Sequence, residues 1–433
     1  MTADVSARRR RDIVDALRRG VVPANGLDAL AVGLDRFVTA LDEDLDRVAG
    51  AGSVFKAVRG EYGAGKTFFT RWLGERAKRR GFAVAEVQIS ELETPLHRME
   101  TVYRRLVEQL STEQFPPSAL RPVLDNWIFA LEEDVLAAGR VTEEDAEALD
   151  RTVGELLETR LADISRSTPA FAAALRGYRT ALADGDDVTA GGLAAWLGGQ
   201  PHVAAATRRA AGVKGDLDHF GALNFLRGLL TVLRDSGHPG LLLVLDEVET
   251  LQRVRADARD KALNALRQLV DDIYAGRFPG LFLVITGTPA FFDGPQGVQR
   301  LAPLAQRLAT DFGPEFRWDN PRATQLRLPG FTEGSLIQLG VRVREIYGGD
   351  QVSRRVDDAY LGELARAVAG RLGGQVGVAP RVYLKKLVAE VLDRVDQFPE
   401  WDPRQHYGLT LRPDELTEVE RNAVAADDVE LSL

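Results

Sequence analysis

The chain alternates between short apolar runs and longer stretches in which apolar residues recur every three or four positions. Apolar runs at 54–58, 82–89, 240–245, 280–285 and 324–328 have the length of strands that are buried on both faces. Helical periodicity between such runs is typical of strand–helix–strand units, which build parallel sheets. The pattern therefore predicts an α/β fold with a three-layer core around a parallel sheet.

Helical patterns fill most of the remaining chain, and the stretch at 94–239 has almost no strand signal. The predicted helices lie at 6–20, 27–45, 68–77, 97–112, 118–139, 142–163, 167–183, 189–198, 201–211, 217–235, 256–275, 301–308, 334–347, 356–370 and 380–396. We predict five parts: the first part of a core (1–93), a large helical insertion (94–239), the second part of the core (240–330), a small helical lid (331–398) and a tail (399–433).

The loop between the first predicted strand and the next helix carries the pattern G-x-x-x-x-G-K-T. This is the P-loop (Walker A) pattern, in which glycines let backbone N–H groups face a polyphosphate and a lysine reaches the β- and γ-phosphates. A glycine-rich turn followed by a chance Lys-Thr is the alternative, and the flanking strand and helix disfavour it. The residues predicted to bind ATP are Gly60, Glu61, Tyr62, Gly63, Ala64, Gly65, Lys66, Thr67 and Phe68, with Lys66 also acting in catalysis and Thr67 ligating Mg²⁺.

The apolar run at 240–245 ends in two carboxylates, Asp246 and Glu247. This is the Walker B pattern, in which Asp246 holds Mg²⁺ and Glu247 polarises the attacking water. The alternative is a buried strand that happens to end in acids, which an intact P-loop upstream makes improbable.

Further polar residues follow predicted core strands. Thr286 and Thr288 follow the run at 280–285, and one of them is expected to orient water or the γ-phosphate, with strand-end capping as the alternative. Ser90 and Glu91 follow the second predicted strand, and we expect them to face the nucleotide.

Two arginines are candidates for contacts with the developing charge on the γ-phosphate. Arg307 lies one helix before the last predicted strand, where ring ATPases place an arginine that acts on the neighbouring subunit's nucleotide; Arg300 and Arg267 are its rivals, and a surface arginine is the alternative. Arg381 follows Pro380 at the start of a lid helix and is predicted to face the nucleotide of its own subunit, against plain solvation of a helix start.

Composition bears on metal sites, disulfides, membrane association and DNA binding. There is no cysteine, which excludes disulfides and thiolate metal sites, and the five histidines show no ligand spacing. No apolar run approaches the roughly 20 residues of a membrane helix, so we expect a cytoplasmic protein without membrane association. The net charge of -9 does not favour DNA binding, although 8–11 and 381–386 are local basic concentrations that either contact DNA or are solvated helix faces.

Several segments together resemble a known family. They are the P-loop with its Glu61-Tyr62 lead, LDEVE at 245–249, VITGTPAFFDGPQG at 284–297, the AQRL and LPGFTEGSL segments, and Gly377-Val-Ala-Pro-Arg381. The chain resembles, over nearly its whole length, the BREX-associated ATP-binding proteins of bacterial phage defence, of the BrxD type. More broadly it is similar to the origin-recognition and Cdc6 branch of AAA+ ATPases, from which it departs by its insertion and by the lack of a C-terminal winged helix.

The resemblance implies a homo-oligomeric Mg²⁺-dependent ATPase within an anti-phage system, working beside a helicase and a DNA methyltransferase. A slowly hydrolysing nucleotide-dependent switch or loader is the main alternative function. A translocating helicase or nuclease motor is less favoured, because the chain shows no second P-loop and no metal-nuclease carboxylate cluster.

Overall fold

A computed structural model describes residues 6–139, 141, 142, 144–371, 380–412, 416 and 421. The chain divides into two compact units. Unit 1 consists of Met1–Ala40, Val58–Glu75 and Asp311–Leu433, and unit 2 consists of Leu41–Ala57 and Arg76–Thr310. No helix among the described residues is both long and apolar enough to cross a membrane.

The described strands form a five-stranded parallel sheet in the order β2-β3-β4-β1-β5. The strands are β1 (Val54–Arg59), β2 (Ala83–Gln88), β3 (Leu241–Asp246), β4 (Leu281–Gly287) and β5 (Gln325–Arg327). Every residue of β1, β3 and β4 is buried, as expected of parallel strands covered on both faces. All five predicted strands are present, and the predicted α/β class with a parallel sheet is confirmed.

The helices in the first part of the chain are α1 (Ala7–Arg19), α2 (Asp35–Ala49) and α3 (Lys66–Arg79). Between β2 and β3 lie α4 (Met99–Gln109), α5 (Leu120–Ala137), α6 (Ala146–Ser167), α7 (Pro169–Ala183), α8 (Asp187–Leu197), α9 (Ala205–Ala210) and α10 (His219–Asp235). They are followed by α11 (Ala256–Tyr274), α12 (Pro289–Asp293) and α13 (Ala302–Leu308), and after β5 by α14 (Glu333–Tyr347), α15 (Asp350–Arg355), α16 (Asp358–Arg371), α17 (Pro380–Lys386), a π-helical turn (Leu387–Leu392), α18 (Asp393–Gln397) and α19 (Pro403–His406).

The helices between β2 and β3 share the hydrophobic core of unit 2 with the strands. Phe225 of α10 lies at the centre of this packing, with its ring 5.0 Å from that of Phe171, 5.2 Å from Trp196 and 5.9 Å from Tyr103. The stretch predicted as an insertion is therefore helical, and its apolar residues belong to the same cluster as β2, β3 and β4.

Unit 1 has its own hydrophobic cluster, in which the buried face of α1 packs with the helices that follow β5. Helix α14 begins at a capping box, in which Thr332 accepts a hydrogen bond from the Ser335 N–H at 3.2 Å and the Ser335 side chain bonds back to Thr332. The short helix α15 lies between predicted lid helices and was not predicted. The predicted residues Gly377, Val378 and Ala379 and most of the predicted tail lie outside the described residues.

The prediction of one helix over 27–45 is wrong. The structure has a 3-10 turn at Leu27–Ala29, and α2 starts only at Asp35. Gly33 between them has a φ of 74°, a left-handed conformation that interrupts a helix. The turn is held from a distance in sequence, because the Glu75 carboxylate accepts hydrogen bonds from the backbone N–H groups of Gly26 at 2.9 Å and Leu27 at 2.8 Å.

Candidate functional site

The P-loop connects the end of β1 to the start of α3 in unit 1. Gly63 and Gly65 have φ angles of 79° and 88°, which side-chain-bearing residues rarely adopt. At Gly60 a Cβ atom would lie 3.0 Å from the Cβ of Ala64, which is tighter than ordinary packing. The tight curl of this loop therefore depends on its glycines.

Lys66 is buried at the first position of α3, with 8% of its surface exposed. Its Nζ donates hydrogen bonds to the carbonyl oxygens of Gly60 at 2.9 Å and Glu61 at 3.3 Å, and lies 5.2 Å from the centroid of the exposed Tyr62 ring. The ammonium thus contacts the backbone of the loop, at the N-terminal, positive end of a 14-residue helix. A buried cation and a helix N-terminus in one glycine loop suit a phosphate group.

The next positions of α3 are less deeply buried. Thr67 is half-buried, and its carbonyl oxygen accepts a hydrogen bond from the Thr70 hydroxyl at 3.1 Å. Phe68 is half-buried and packs against the hydrophobic cluster of unit 1. Hydroxyl and backbone donors therefore lie at the start of the helix, while the aromatic ring contributes to packing.

A second group of predicted residues meets at the ends of β3 and β4 in unit 2. The Thr286 hydroxyl donates a hydrogen bond to Asp246 Oδ1, and both residues are buried, with 0% and 5% of their surface exposed. The backbone N–H of Glu247 donates to Asp246 Oδ1 at 3.1 Å and to Thr286 Oγ1 at 3.0 Å. These bonds tie Asp246, Glu247 and Thr286 into one polar network.

Glu247 has an unusual backbone conformation for a residue with a side chain. Its φ and ψ are 59° and 43°, in the left-handed region, which costs about 1 kcal/mol or more outside glycine. The left-handed turn follows directly after β3 and precedes the 3-10 helix Val248–Gln252. Glu247 is half-buried, whereas all residues of β3 before it are buried.

The Glu247 carboxylate is held by a residue that sequence reasoning missed. The Gln88 side-chain amide donates a hydrogen bond to Glu247 Oε2 at 2.9 Å. Gln88 is the last residue of β2, and the parallel register of β2 and β3 pairs it with Asp246. The signal available in the sequence was a polar residue at the end of an alternating strand.

Ser90 and Glu91, which we predict from the sequence to face the nucleotide, lie on the turn that follows β2. The Ser90 hydroxyl accepts hydrogen bonds from the backbone N–H groups of Glu93 at 3.1 Å and Thr94 at 3.0 Å. Glu91 is exposed on the same turn. In the described part of the chain, the side chain at the end of β2 that reaches Glu247 is therefore that of Gln88.

Thr288 is buried but has a different setting from Thr286. It precedes α12, and its carbonyl oxygen accepts a hydrogen bond from the Phe291 N–H at 3.0 Å. The hydrogen bonds among the described residues link Thr286, and not Thr288, to Asp246 and Glu247. The geometry thus favours Thr286 of the two predicted threonines.

The three arginines considered for action on a neighbouring subunit all pair with carboxylates of α11. Arg307 Nε donates to Asp271, and its Nη1 donates to the Pro303 carbonyl at 2.8 Å. Arg267 bonds the other oxygen of Asp271 at 2.7 Å, and Arg300 pairs with Asp260. The Arg307 guanidinium is thus oriented by a carboxylate of α11 and a backbone carbonyl of its own helix.

Arg381 is the second residue of α17 in unit 1 and is half-buried. A Cβ atom on Gly20, which ends α1, would lie 3.5 Å from Arg381 Nη1 and 3.3 Å from Lys385 Cδ. Arg381 therefore lies against the end of α1. The predicted site residues fall into two groups, the P-loop with Arg381 in unit 1 and Asp246, Glu247, Thr286, Thr288 and Arg307 in unit 2.

Comparison with known proteins identifies the family. The family model described as BREX system ATP-binding protein BrxC/D matches residues 5–411. No curated protein and no solved structure matches the chain. The resemblance noted from the sequence is thereby confirmed at the level of this family, while similarity to the Cdc6 branch stays a prediction. Because the match covers nearly the whole chain, the protein belongs to the BrxC/D family of BREX system ATP-binding proteins.

Proposed function

We propose that the protein is an AAA+ ATPase that binds Mg²⁺-ATP and hydrolyses it to drive conformational change within a BREX defence system. The observation that carries the proposal is the polar network in which the buried Thr286 and the Glu247 N–H converge on the buried Asp246, while the exposed Gln88 holds the Glu247 carboxylate. A structural strand end has no need of two carboxylates, one of them on a strained backbone.

The P-loop would hold the triphosphate. Lys66 would exchange its bonds to the carbonyls of Gly60 and Glu61 for the β- and γ-phosphate oxygens, because a phosphate dianion is a far stronger acceptor for an ammonium than a neutral carbonyl. The backbone N–H groups of the glycine loop and the N-terminus of α3 would add further donors. Lys66 thus spreads the negative charge that develops during transfer.

We propose that oxygen ligands of the chain would hold a magnesium ion. Thr67 offers a hydroxyl and Asp246 a carboxylate, and hard oxygen ligands of this kind are what Mg²⁺ prefers beside substrate phosphates. When bound, the ion would neutralise phosphate charge and polarise the terminal phosphate. The Thr286 hydroxyl, which donates to Asp246 Oδ1, would orient the Asp246 carboxylate for this role.

Glu247 would orient the attacking water and accept its proton. Gln88 acts as a positioning residue, because its amide occupies Oε2 and leaves Oε1 for the water. The hydrogen bonds of the Glu247 N–H fix the backbone from which this carboxylate projects. The water is thereby directed in line with the bond to be broken.

We further propose that Arg381 acts within its own subunit and Arg307 on a neighbouring subunit of a homo-oligomer. The bond between Arg307 and Asp271 would then break when a neighbour supplies phosphate oxygens, which links assembly to hydrolysis. Partners within the defence system, among them a helicase and a DNA methyltransferase in the cytoplasm, would use the resulting motion.

A switch that turns over slowly is the second candidate function. It is favoured by the bond between Arg307 and the Asp271 carboxylate of the same chain. An Arg307 held in this way would have to be redirected before it acts on a neighbour's nucleotide, which suits a protein that remains loaded until a partner acts.

Lys66→Ala and Glu247→Gln distinguish these functions. For an ATPase we expect Lys66→Ala to lose ATP binding, and Glu247→Gln to keep ATP binding while turnover falls at least about 10²-fold. Wild-type turnover as slow as that of Glu247→Gln, with tight ATP binding, would favour the switch. If Lys66→Ala also keeps ATP binding, both functions are contradicted.

A further inference from the structure

We propose that α1 is a DNA-binding helix that contacts the phosphate backbone of a duplex. Helix α1 carries six arginines against two aspartates, a formal charge of +4, in a chain whose net charge is -9. A helix of 13 residues is about 20 Å long, so this charge is concentrated on a small part of the surface. Such a basic segment is the electrostatic footprint of a nucleic-acid site.

The arginines at the start of α1 are exposed on every side. All residues from 6 to 12 are exposed, whereas Ile13, Val14 and Leu17 are buried in the unit 1 cluster. Consecutive residues of a helix point in directions about 100° apart, so Arg8, Arg9 and Arg11 face different directions. The first turns of α1 are therefore open to solvent, although the stem of Arg9 passes close to Gly26, where an added Cβ atom would lie 3.0 Å from Arg9 Cδ.

The arginines of α1 differ in whether they form ion pairs. Among the described residues, no ion pair includes Arg8, Arg9, Arg11 or Arg19. Arg18 is the contrast, since it bonds both carboxylate oxygens of Asp393 at 2.7 and 2.8 Å. Arg18 thus anchors the helix, and Arg8, Arg9 and Arg11 remain available for an anion.

The position of these arginines opposes helix stability. The first turn of α1 contains no acidic residue, and its arginines lie at the positive end of the helix dipole. An anion near a helix N-terminus stabilises the helix by roughly 0.3–1 kcal/mol, and a cation there destabilises it by a similar amount. A polyanion bound to this turn would reverse the sign of that interaction.

Duplex DNA fits this surface better than a membrane or an acidic protein. A basic helix enters a membrane surface through its apolar face, and that face of α1 is buried in unit 1. An acidic protein surface would contact the arginines on one face of the helix only. The major groove of DNA admits a helix between two phosphate strands, so arginines on several faces can contact phosphates. Arginine also binds phosphate through two parallel hydrogen bonds. Because phosphates carry no sequence information, we expect binding without sequence preference.

The test is binding of a fluorescently labelled 30-bp duplex by the full chain without ATP, measured by anisotropy from 50 to 300 mM salt. We expect the logarithm of the wild-type affinity to fall linearly with the logarithm of salt concentration. The variant Arg8→Gln/Arg9→Gln/Arg11→Gln should lower this slope by about 2–3 and the affinity near 0.1 M salt by about 10²- to 10³-fold. The corresponding Arg→Lys variant should keep the slope, because it keeps the charges.

The control variant is Arg151→Gln/Arg209→Gln/Lys214→Gln, which changes the net charge equally at exposed positions of unit 2. Its affinity should stay within about twofold of wild type, because none of these residues belongs to the proposed DNA-binding helix. The triple glutamine variant of α1 should melt at the wild-type temperature or above, since it removes cations from the positive end of the helix.

The proposal would be overturned if wild type does not bind the duplex, if binding is insensitive to salt, or if the two glutamine variants lose affinity equally. Binding of poly-glutamate or anionic vesicles in place of the duplex would also overturn it. Because no ATP is present, a failure of the proposed ATPase would leave these outcomes unchanged.

Discussion

Thr286→Val removes one buried hydroxyl and keeps the shape of the side chain. The hydroxyl donates to the Asp246 carboxylate and accepts from the Glu247 N–H. The Glu247 N–H keeps its second acceptor, Asp246 Oδ1 at 3.1 Å, so the main loss is the charge-assisted bond to Asp246. A hydrogen bond to a charged group contributes about 1.5–3 kcal/mol, and we expect the opening free energy of β3 and β4 amides to fall by that amount.

The same loss should appear in catalysis. If the bond orients Asp246 and Glu247 in the transition state, 1.5–3 kcal/mol corresponds to roughly a 10- to 10²-fold lower kcat. Steady-state ATP turnover measures this effect, and hydrogen exchange of the β3 and β4 amides measures the stability term. Thr207→Val is the matched control, because Thr207 is another buried threonine of unit 2, with 7% of its surface exposed. The reasoning is refuted if Thr286→Val keeps wild-type kcat and exchange, or if Thr207→Val lowers kcat as much.

Two further predictions concern side-chain pairs of unit 2. Gln88→Ala should lower kcat about 10-fold without changing ATP affinity, because the Glu247 carboxylate loses the amide that orients it, and unchanged turnover would contradict that role. The Arg76 guanidinium, hydrogen-bonded to Asp42, holds the pKa of that carboxyl below its usual value, and Arg80 acts in the same direction. Because the folded-state pKa is the lower one, Asp42 stabilises the fold above its unfolded pKa of about 3.9, and this contribution is lost as the pH falls through the folded-state pKa. Asp42→Asn should therefore be less stable than wild type at pH 7 and should converge with it in acid unfolding curves; a difference that persists at the lowest pH would contradict the assignment.

The sheet and the P-loop could be predicted from the sequence because local signals dominate there. Parallel strands buried on both faces are continuous apolar runs, and the P-loop needs glycines at positions where left-handed backbone occurs, as at Gly63 and Gly65. Asp246 and Glu247 stood out because an apolar run that ends in two adjacent carboxylates has the Walker B pattern. These features depend on neighbours in sequence.

The features that were missed depend on residues far apart in sequence. The contact between Gln88 and Glu247 requires the register of β2 against β3, which spans the whole helical stretch between them. The break between 27 and 35 is held by the Glu75 carboxylate, and periodicity alone cannot reveal such a bond. The pairing of Arg307 with Asp271 likewise joins α13 to α11 through tertiary packing. Local pattern determines which elements form, and tertiary contacts determine what their polar ends touch.

The most direct test of the central claim is a single-turnover experiment with radiolabelled ATP on wild type and Glu247→Gln. The state of the bound nucleotide is read by rapid quench in the same samples. We predict that wild type converts its bound ATP to ADP and phosphate, whereas Glu247→Gln binds the same amount and retains it as ATP. Equal conversion in the two proteins would contradict the claim that Glu247 orients the attacking water.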